Sequence, residues 1–123
     1  MVNTQITDRR DTRLSPEDLA ALLDNLHEQR LFREEQVRQL SAAPPRADGQ
    51  DPRASAARTE VRTELAASAR MVLADVEAAL RRLAEGSYGQ CHLCRRPIDR
   101  AHLMIVPQAR YCARCRQVRE AGR

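Results

Sequence analysis

Four cysteines in the C-terminal part of this 123-residue chain predict a specific chemistry by their type and spacing. They form two Cys-x-x-Cys pairs separated by 17 residues, namely Cys91 with Cys94 and Cys112 with Cys115. Such spacing is typical of a zinc site with four thiolate ligands, because each tight turn supplies two soft ligands to one ion. Protein ligands would fill all four positions, so we predict one structural zinc ion and no catalytic metal.

The sequence disfavours two other uses of these cysteines. A single redox pair would leave the second Cys-x-x-Cys unexplained, and a disulfide scaffold conflicts with the cytoplasmic location that we expect. That location follows from the polar start, "MVNTQITDRR", and from the lack of a run of about 20 apolar residues that could cross a bilayer. His92 and His102 could replace a thiolate, but four cysteines suffice, so we predict that both lie on the surface.

The residues before the cysteines predict two long helices. Ser15, followed by proline and two acids, has the pattern of a helix start, and Pro44-Pro45 ends that helix near residue 43. Asp51, also followed by proline, begins a second helix that runs to Glu85, and Gly86 is suited to the position after its last residue.

Apolar residues repeat along both helices at spacings of three and four, which predicts an antiparallel hairpin. The first seam reads Leu19, Leu23, Leu26, Arg30, Arg33, Val37 and Leu40, and the second reads Leu65, Ala69, Val72, Val76, Ala79 and Leu83. An intermolecular coiled coil or a compact helical bundle would also use such stripes. The hairpin is favoured because the Pro-rich turn lies at the centre of symmetry. The two arginines should make the middle of the seam its weakest part.

The predicted fold is mainly α. An antiparallel two-helix coiled-coil hairpin is followed by a small four-cysteine zinc finger and a short C-terminal helix. Residues 1–14 are predicted to be a flexible N-terminal segment and residues 15–85 the hairpin, with its tip at about 44–52. Residues 86–123 are predicted to be the zinc finger and the C-terminal helix.

Charge is concentrated at the C-terminal end. Residues 86–123 contain eight arginines and two acids, whereas residues 1–40 contain six arginines and eight acids. The basic end favours an acidic partner surface or nucleic acid. The residues singled out as possible contacts are Arg95, Arg96, Arg114 and Arg116.

The C-terminal pattern "GSYGQCHLC…I…P…CARC", directly after a long helical hairpin, resembles the DksA/TraR family of bacterial transcription regulators. Besides the cysteines, the matching positions are Gly86, Tyr88, Gly89, Ile98, Leu103, Pro107 and Ala109. The resemblance implies a regulator without enzymatic activity that binds RNA polymerase at its secondary channel. The coiled-coil tip would point inward to modulate initiation.

The resemblance also implies a role for two acids at the tip. Family members have an Asp-x-x-Asp-x-Ala motif there, and Asp48 and Asp51 match its two acids. The sequence departs from the motif where alanine is expected, because that position is Arg53. Turn formation for Asp48 and helix capping for Asp51 are the alternative roles.

Binding of the alarmone ppGpp is expected to be weak or absent. The resemblance places three residues of this chain at the positions where other family members have basic ppGpp contacts. They are Asp75, Val106 and Arg116, and only Arg116 is basic. A monomer is expected, and sequence-specific DNA binding is not. The alternative function is a zinc-ribbon protein that binds nucleic acid through its arginines. Transcript cleavage and thiol redox chemistry are disfavoured, because the tip lacks a general base and zinc would occupy the thiols.

Overall fold

The computed structural model describes residues 13–42 and 51–122, and these form four helices. The long helices are α1 (Pro16–Ser41) and α2 (Pro52–Glu85), and the short ones are α3 (Arg100–Ile105) and α4 (Ala113–Ala121). Extended pairing in the described residues is limited to one antiparallel bridge between Gln90 and Pro97. Among the helices of these two ranges, none is long and apolar enough to span a membrane.

The ends of the long helices are formed by the residues that the sequence predicted. The Ser15 hydroxyl accepts a hydrogen bond from the Asp18 amide, and the Asp18 carboxylate accepts one from the Ser15 amide, both at 3.0 Å. Asp51 caps α2, and Gly86 ends it with a φ of 82°, a conformation that favours glycine. Helix α1 ends at Ser41, slightly before the predicted end near residue 43.

The two long helices pack side by side in antiparallel orientation. Near the base, Leu26 of α1 forms a buried cluster with Val76 and Ala79 of α2. Towards the other end, the Arg62 guanidinium donates a hydrogen bond to the Gln39 carbonyl at 2.7 Å. Late residues of α1 therefore face early residues of α2, which confirms the predicted mainly α fold with a two-helix hairpin.

The buried seam differs from the predicted one at its leucines. Leu22 is 1% exposed, whereas Leu19 and Leu23, which we placed in the seam, are 37% and 39% exposed. On α2, Ala66 is buried and Leu65 is about half exposed. The buried residues of the predicted seam are Leu26, Ala69, Val76 and Ala79. The difference is therefore confined to positions where two neighbouring leucine or alanine residues fit the three-and-four spacing equally well.

The predicted interruption of the seam by arginine is observed. The Arg30 Nε atom is buried and has no hydrogen-bond partner among the described residues. Arg33 donates to the Gln36 side chain at 2.8 Å and lies over the Phe32 ring, 5.3 Å from its centroid. A buried donor without a partner is destabilising. We therefore expect this part of the hairpin to contribute less to stability than the buried cluster of Leu26, Val76 and Ala79.

Tyr88 connects the hairpin with the zinc finger. Its ring packs against the hairpin cluster around Leu26 and also against a finger cluster of Cys91, Ile98 and Leu103. Its hydroxyl donates to the Pro107 carbonyl at 2.8 Å, and burial raises the pKa of Tyr88 to about 12. One side chain therefore belongs to both cores and fixes their relative position.

An ion pair makes a second connection between the two parts. The Arg100 guanidinium, at the start of α3, donates two hydrogen bonds of 2.8 Å to the Asp18 carboxylate, one to each oxygen. Leu14, the last residue of the predicted N-terminal segment, packs against the finger cluster beside it. Hydrogen bonds from Arg100 and from the Ser15 amide hold the pKa of Asp18 well below its usual range.

We predict that Asp18→Asn lowers the melting temperature of the protein at neutral pH, because the substitution removes the charged partner of Arg100. A carboxyl group with a depressed pKa stabilises the fold above its unfolded pKa of about 4, and this contribution is lost as the pH falls below that value. The difference in melting temperature between wild type and variant should therefore be constant from pH 8 to 5 and shrink below pH 4.

Thermal unfolding followed by circular dichroism measures this difference. Comparing the two proteins is necessary because acid also protonates the cysteine ligands in both. Asp24→Asn, at an exposed position of the same helix, is the matched control and should melt like wild type at every pH. Equal melting temperatures for wild type and Asp18→Asn at pH 7 would contradict the assignment.

Candidate metal centre

The four cysteine thiols converge on one point. All four Sγ atoms lie within 4.8 Å of one another, and those of Cys94 and Cys112 are 3.8 Å apart. Four thiolates at about 2.3 Å from a tetrahedral zinc ion are separated by about 3.8 Å. Both pairs contribute to the cluster, so it fits one structural zinc ion, as predicted from the sequence.

Local hydrogen bonds shape the turn that holds the first pair. The Cys91 amide donates to the Arg96 carbonyl at 2.8 Å, and the Arg95 amide donates back to the Cys91 carbonyl at 3.0 Å. The Gln90–Pro97 bridge closes this short loop. These bonds turn the chain so sharply that both thiols of the pair point to the same side.

The second pair lies at the beginning of α4. Cys112 is the N-cap residue of this helix, and its Sγ accepts a hydrogen bond from the Cys115 amide at 3.5 Å. The partial positive charge of a helix N-terminus favours a thiolate at this position. The His92 amide donates to the Arg110 carbonyl at 2.9 Å, and this bond joins the first loop to the segment that leads to Cys112.

The electrostatics of the four-cysteine cluster favour a bound cation. Burial opposes ionisation of Cys91, yet hydrogen bonds from the Cys94, Cys112 and Leu93 amides lower the pKa of its thiol to about 6. The pKa of Cys115 is instead raised to about 12, first by its interaction with the Cys112 side chain and then by burial. Thiols this close to one another repel as thiolates, and a divalent ion would remove that repulsion.

Three of the four predicted arginines line two clefts on the finger. Arg96 and Arg114 line a cleft of about 520 Å³ beside Cys94 and Cys112. Arg95 lines a different cleft of about 280 Å³. Arg116 follows the last cysteine and is exposed on α4.

The predicted tip residues are only partly within the described structure. Asp51 is exposed, and its carboxylate accepts a hydrogen bond from the Arg53 amide at 3.1 Å, as a helix cap does. Asp48 lies outside the described residues. From Asp51 to the finger, α2 alone spans 34 residues, or about 50 Å. The structure therefore places Asp51 far from the four cysteines.

Sequence reasoning did not find two charged contacts of the finger. Arg110 pairs with Asp75 of α2, and Arg100 pairs with Asp18. Both pairs join residues that are far apart in the chain, and no local pattern of acids and arginines indicated either. The short helix α3 was also not predicted, because its six residues show no clear apolar period.

Comparison with known protein families identifies the cysteine-containing segment. Residues 86–121 match the prokaryotic dksA/traR C4-type zinc finger. The chain carries the zinc finger of the DksA/TraR family. This match and the converging thiols confirm the resemblance that the sequence suggested, and both support one zinc ion held by the dksA/traR finger.

Two similar proteins extend the comparison. An uncharacterized protein of Aquifex aeolicus (strain VF5) is 36% identical over 52 residues, which make up 41% of this chain and 36% of that protein. The chain therefore matches about a third of that relative's length. The structure of transcription factor DksA2 from Pseudomonas aeruginosa has 23% sequence identity and a TM-score of 0.69, covering 87% of this chain and 86% of that chain. At this identity the likeness concerns the fold.

Removal of zinc should unfold the finger and leave most of the hairpin helical. Three side chains form the buried core of the finger, which is too little apolar surface to stabilise it without the metal. The 222 nm ellipticity should fall by roughly a fifth, the share of helical residues in the two short helices of 6 and 9 residues.

Elemental analysis should give one zinc ion per chain, and a strong chelator added during circular dichroism provides the test. Cys115→Ser should reproduce the effect of the chelator without any addition. A protein that keeps its full ellipticity after verified loss of zinc would contradict a structural role for the metal.

Proposed function

We propose that this protein is a transcription regulator that binds RNA polymerase and inserts the tip of its hairpin into the secondary channel to modulate initiation. The observation that carries the proposal is the combination of a dksA/traR finger with a hairpin that shares the DksA2 fold at a TM-score of 0.69. We further propose that the protein acts in the cytoplasm as a monomer and that it is not an enzyme.

The shape of the molecule supports insertion into a channel. A pair of packed helices is about 20 Å wide, and its length of about 50 Å is more than twice this width. The acid that lies nearest the tip in the described residues is Asp51, with an exposed carboxylate. Carboxylate oxygens are ligands that Mg²⁺ prefers, so an acid presented in this way could act near a catalytic metal. Asp48 is proposed to act with it.

The base of the molecule offers a surface suited to docking. Leu93, Ile105 and Val118 are 54%, 79% and 66% exposed although all three are apolar. The arginines proposed as polymerase contacts lie on the same small finger, namely Arg95, Arg96, Arg114 and Arg116. Exposed apolar side chains and arginines are both common in protein interfaces, and the arginines favour an acidic protein surface as partner.

The nucleic-acid alternative is less well supported by the contacts. Binding of single strands uses exposed aromatic rings for base stacking. In the finger, Tyr111 is covered by the Arg119 guanidinium, 4.7 Å from the ring centroid, and is in edge contact with His92. Tyr88 is packed between the two cores. Contacts to nucleic acid would therefore be limited to phosphates, without a means to read sequence.

Dependence on ppGpp is proposed to be weak or absent. Asp75, at a position that resembles a basic contact in other members, carries the opposite charge and is paired with Arg110. Val106, at the second such position, offers no charge. A ligand with several phosphates would meet a carboxylate in place of a cation, which disfavours binding.

The proposal predicts that the zinc-loaded protein binds core RNA polymerase and is displaced by another factor that occupies the secondary channel. Surface plasmon resonance with immobilised polymerase measures both. The absence of binding at micromolar concentration would overturn the proposal. Strong, salt-sensitive binding to DNA without polymerase would favour the nucleic-acid alternative.

Asp51→Asn separates the proposed action of the tip from docking. Asparagine caps helices as well as aspartate does, so α2 should keep its stability while the tip loses one negative charge. We expect unchanged affinity for polymerase and loss of the effect on promoter complexes in an in vitro transcription assay. Glu60→Gln, at an exposed position further along α2, is the control and should regulate like wild type. Normal regulation by Asp51→Asn would contradict the role of this residue.

A further inference from the structure

A cationic cleft lies where α2 ends and the finger begins. It has a volume of about 280 Å³. Its lining combines two guanidinium groups with a hydroxyl, an amide and an imidazole. The residues are Arg82, Ser87, Gln90, Cys91, His92 and Arg95.

Arg82 lacks the anionic partner that a half-buried arginine normally has. Its guanidinium makes no hydrogen bond or ion pair with any described residue. Burial lowers the pKa of Arg82 and the nearby charge of Arg110 lowers it further, whereas Tyr88 and Asp75 raise it. Asp75 is the acid that acts on Arg82, but its carboxylate is already paired with Arg110. The positive charge of the cleft is therefore not balanced by a carboxylate of its own.

Arg95 occupies a backbone conformation that does not suit it. Its φ of 65° lies in the left-handed region, where a side chain with a Cβ is strained and glycine is not. It follows Cys94 directly, and the turn of the first cysteine pair imposes this conformation. An arginine that is strained at this position, with its side chain lining the cleft, indicates a use for the side chain itself.

His92 also lines the cleft, and a ring N–H of its imidazole can donate a hydrogen bond to a bound anion.

We propose that this cleft binds one phosphate group, either as free phosphate or as the terminal phosphate of a small ligand. Guanidinium groups from two different elements match the oxygens of a tetrahedral anion, and Ser87 and Gln90 provide additional donors. A carboxylate has two oxygens and would leave some of these donors without acceptors. The cleft does not include Asp75, Val106 or Arg116, and the proposal does not depend on binding to polymerase.

The test is a titration of the full-length, zinc-loaded, ¹⁵N-labelled protein with sodium phosphate, at constant ionic strength maintained with sodium chloride. Amide signals of residues 87–95 should shift to saturation. Arg82→Gln should weaken binding about tenfold or more, because it removes a charge-assisted hydrogen bond. Arg81→Gln removes the same charge from an exposed neighbouring position of α2 and should change the affinity by less than about twofold.

Arg95→Gly distinguishes a binding role from a structural one. Glycine relieves the backbone strain, so this variant should keep its zinc and melt at or above the temperature of wild type, yet bind phosphate about tenfold more weakly. A parallel titration with adenosine monophosphate and adenosine identifies the source of the phosphate. Tighter binding of the nucleotide than of phosphate, with no binding of the nucleoside, would indicate a nucleotide ligand. Binding of phosphate alone would indicate the free anion.

Two outcomes would overturn the proposal. The first is a set of shifts that does not saturate or that is the same in wild type and Arg82→Gln. The second is saturable binding of a glutamate hexapeptide at residues 87–95 without binding of phosphate, which would assign the cleft to the carboxylates of a partner protein.

Discussion

The convergence of four thiols on one point is the constraint on which the base of this molecule depends. The finger has a buried core of Cys91, Ile98 and Leu103, and one of these three is itself a metal ligand. A core of this size cannot offset the entropy lost when some 35 residues become ordered. The order of the finger must therefore come from ligand bonds to the metal, and its backbone follows the requirements of those bonds. The strained conformation of Arg95 and the start of α4 at Cys112 are consequences of this geometry.

The same constraint extends to the hairpin through three contacts, one of which is the ion pair between Arg110 and Asp75 of α2. Tyr88 packs against both cores, and Arg100 forms a two-pronged ion pair with Asp18 near the start of α1. None of these contacts can form completely unless the finger is folded, because Arg100, Arg110 and the second set of Tyr88 partners lie within it. The direction of the long helices relative to the finger is thus set by an aromatic ring and two charged pairs at the base. A surface on the finger and a residue at the tip are then held in a fixed relation.

The features that could be predicted from the sequence are those governed by nearby residues. Ser15, Asp51 and Gly86 form or end helices through hydrogen bonds within a few residues, and the cysteine spacing reflects the needs of a single ion. The phase of the seam near the start of α1 could not be determined, because leucine occupies positions 19, 22, 23 and 26. The helix buries Leu22 and Leu26 and leaves the other two partly exposed. The contact between Asp18 and Arg100 joins residues 82 positions apart, and either side chain would look solvent-exposed on its own. The strain at Arg95 likewise appears only when the turn is built.

The distribution of charge along the molecule limits the kind of partner that it can bind. Asp51 and the arginines of the finger are separated by about 50 Å along α2, several times the screening length of about 8 Å at physiological salt. The two ends therefore act as independent charges. The arginines of the finger do not cancel the negative charge that Asp51 presents at the far end. A flat acidic surface could attract the finger but would not reach Asp51. A partner that uses both ends needs an acidic rim and a recess about as deep as the hairpin is long. This geometric requirement supports a channel more than it supports a duplex or a membrane surface.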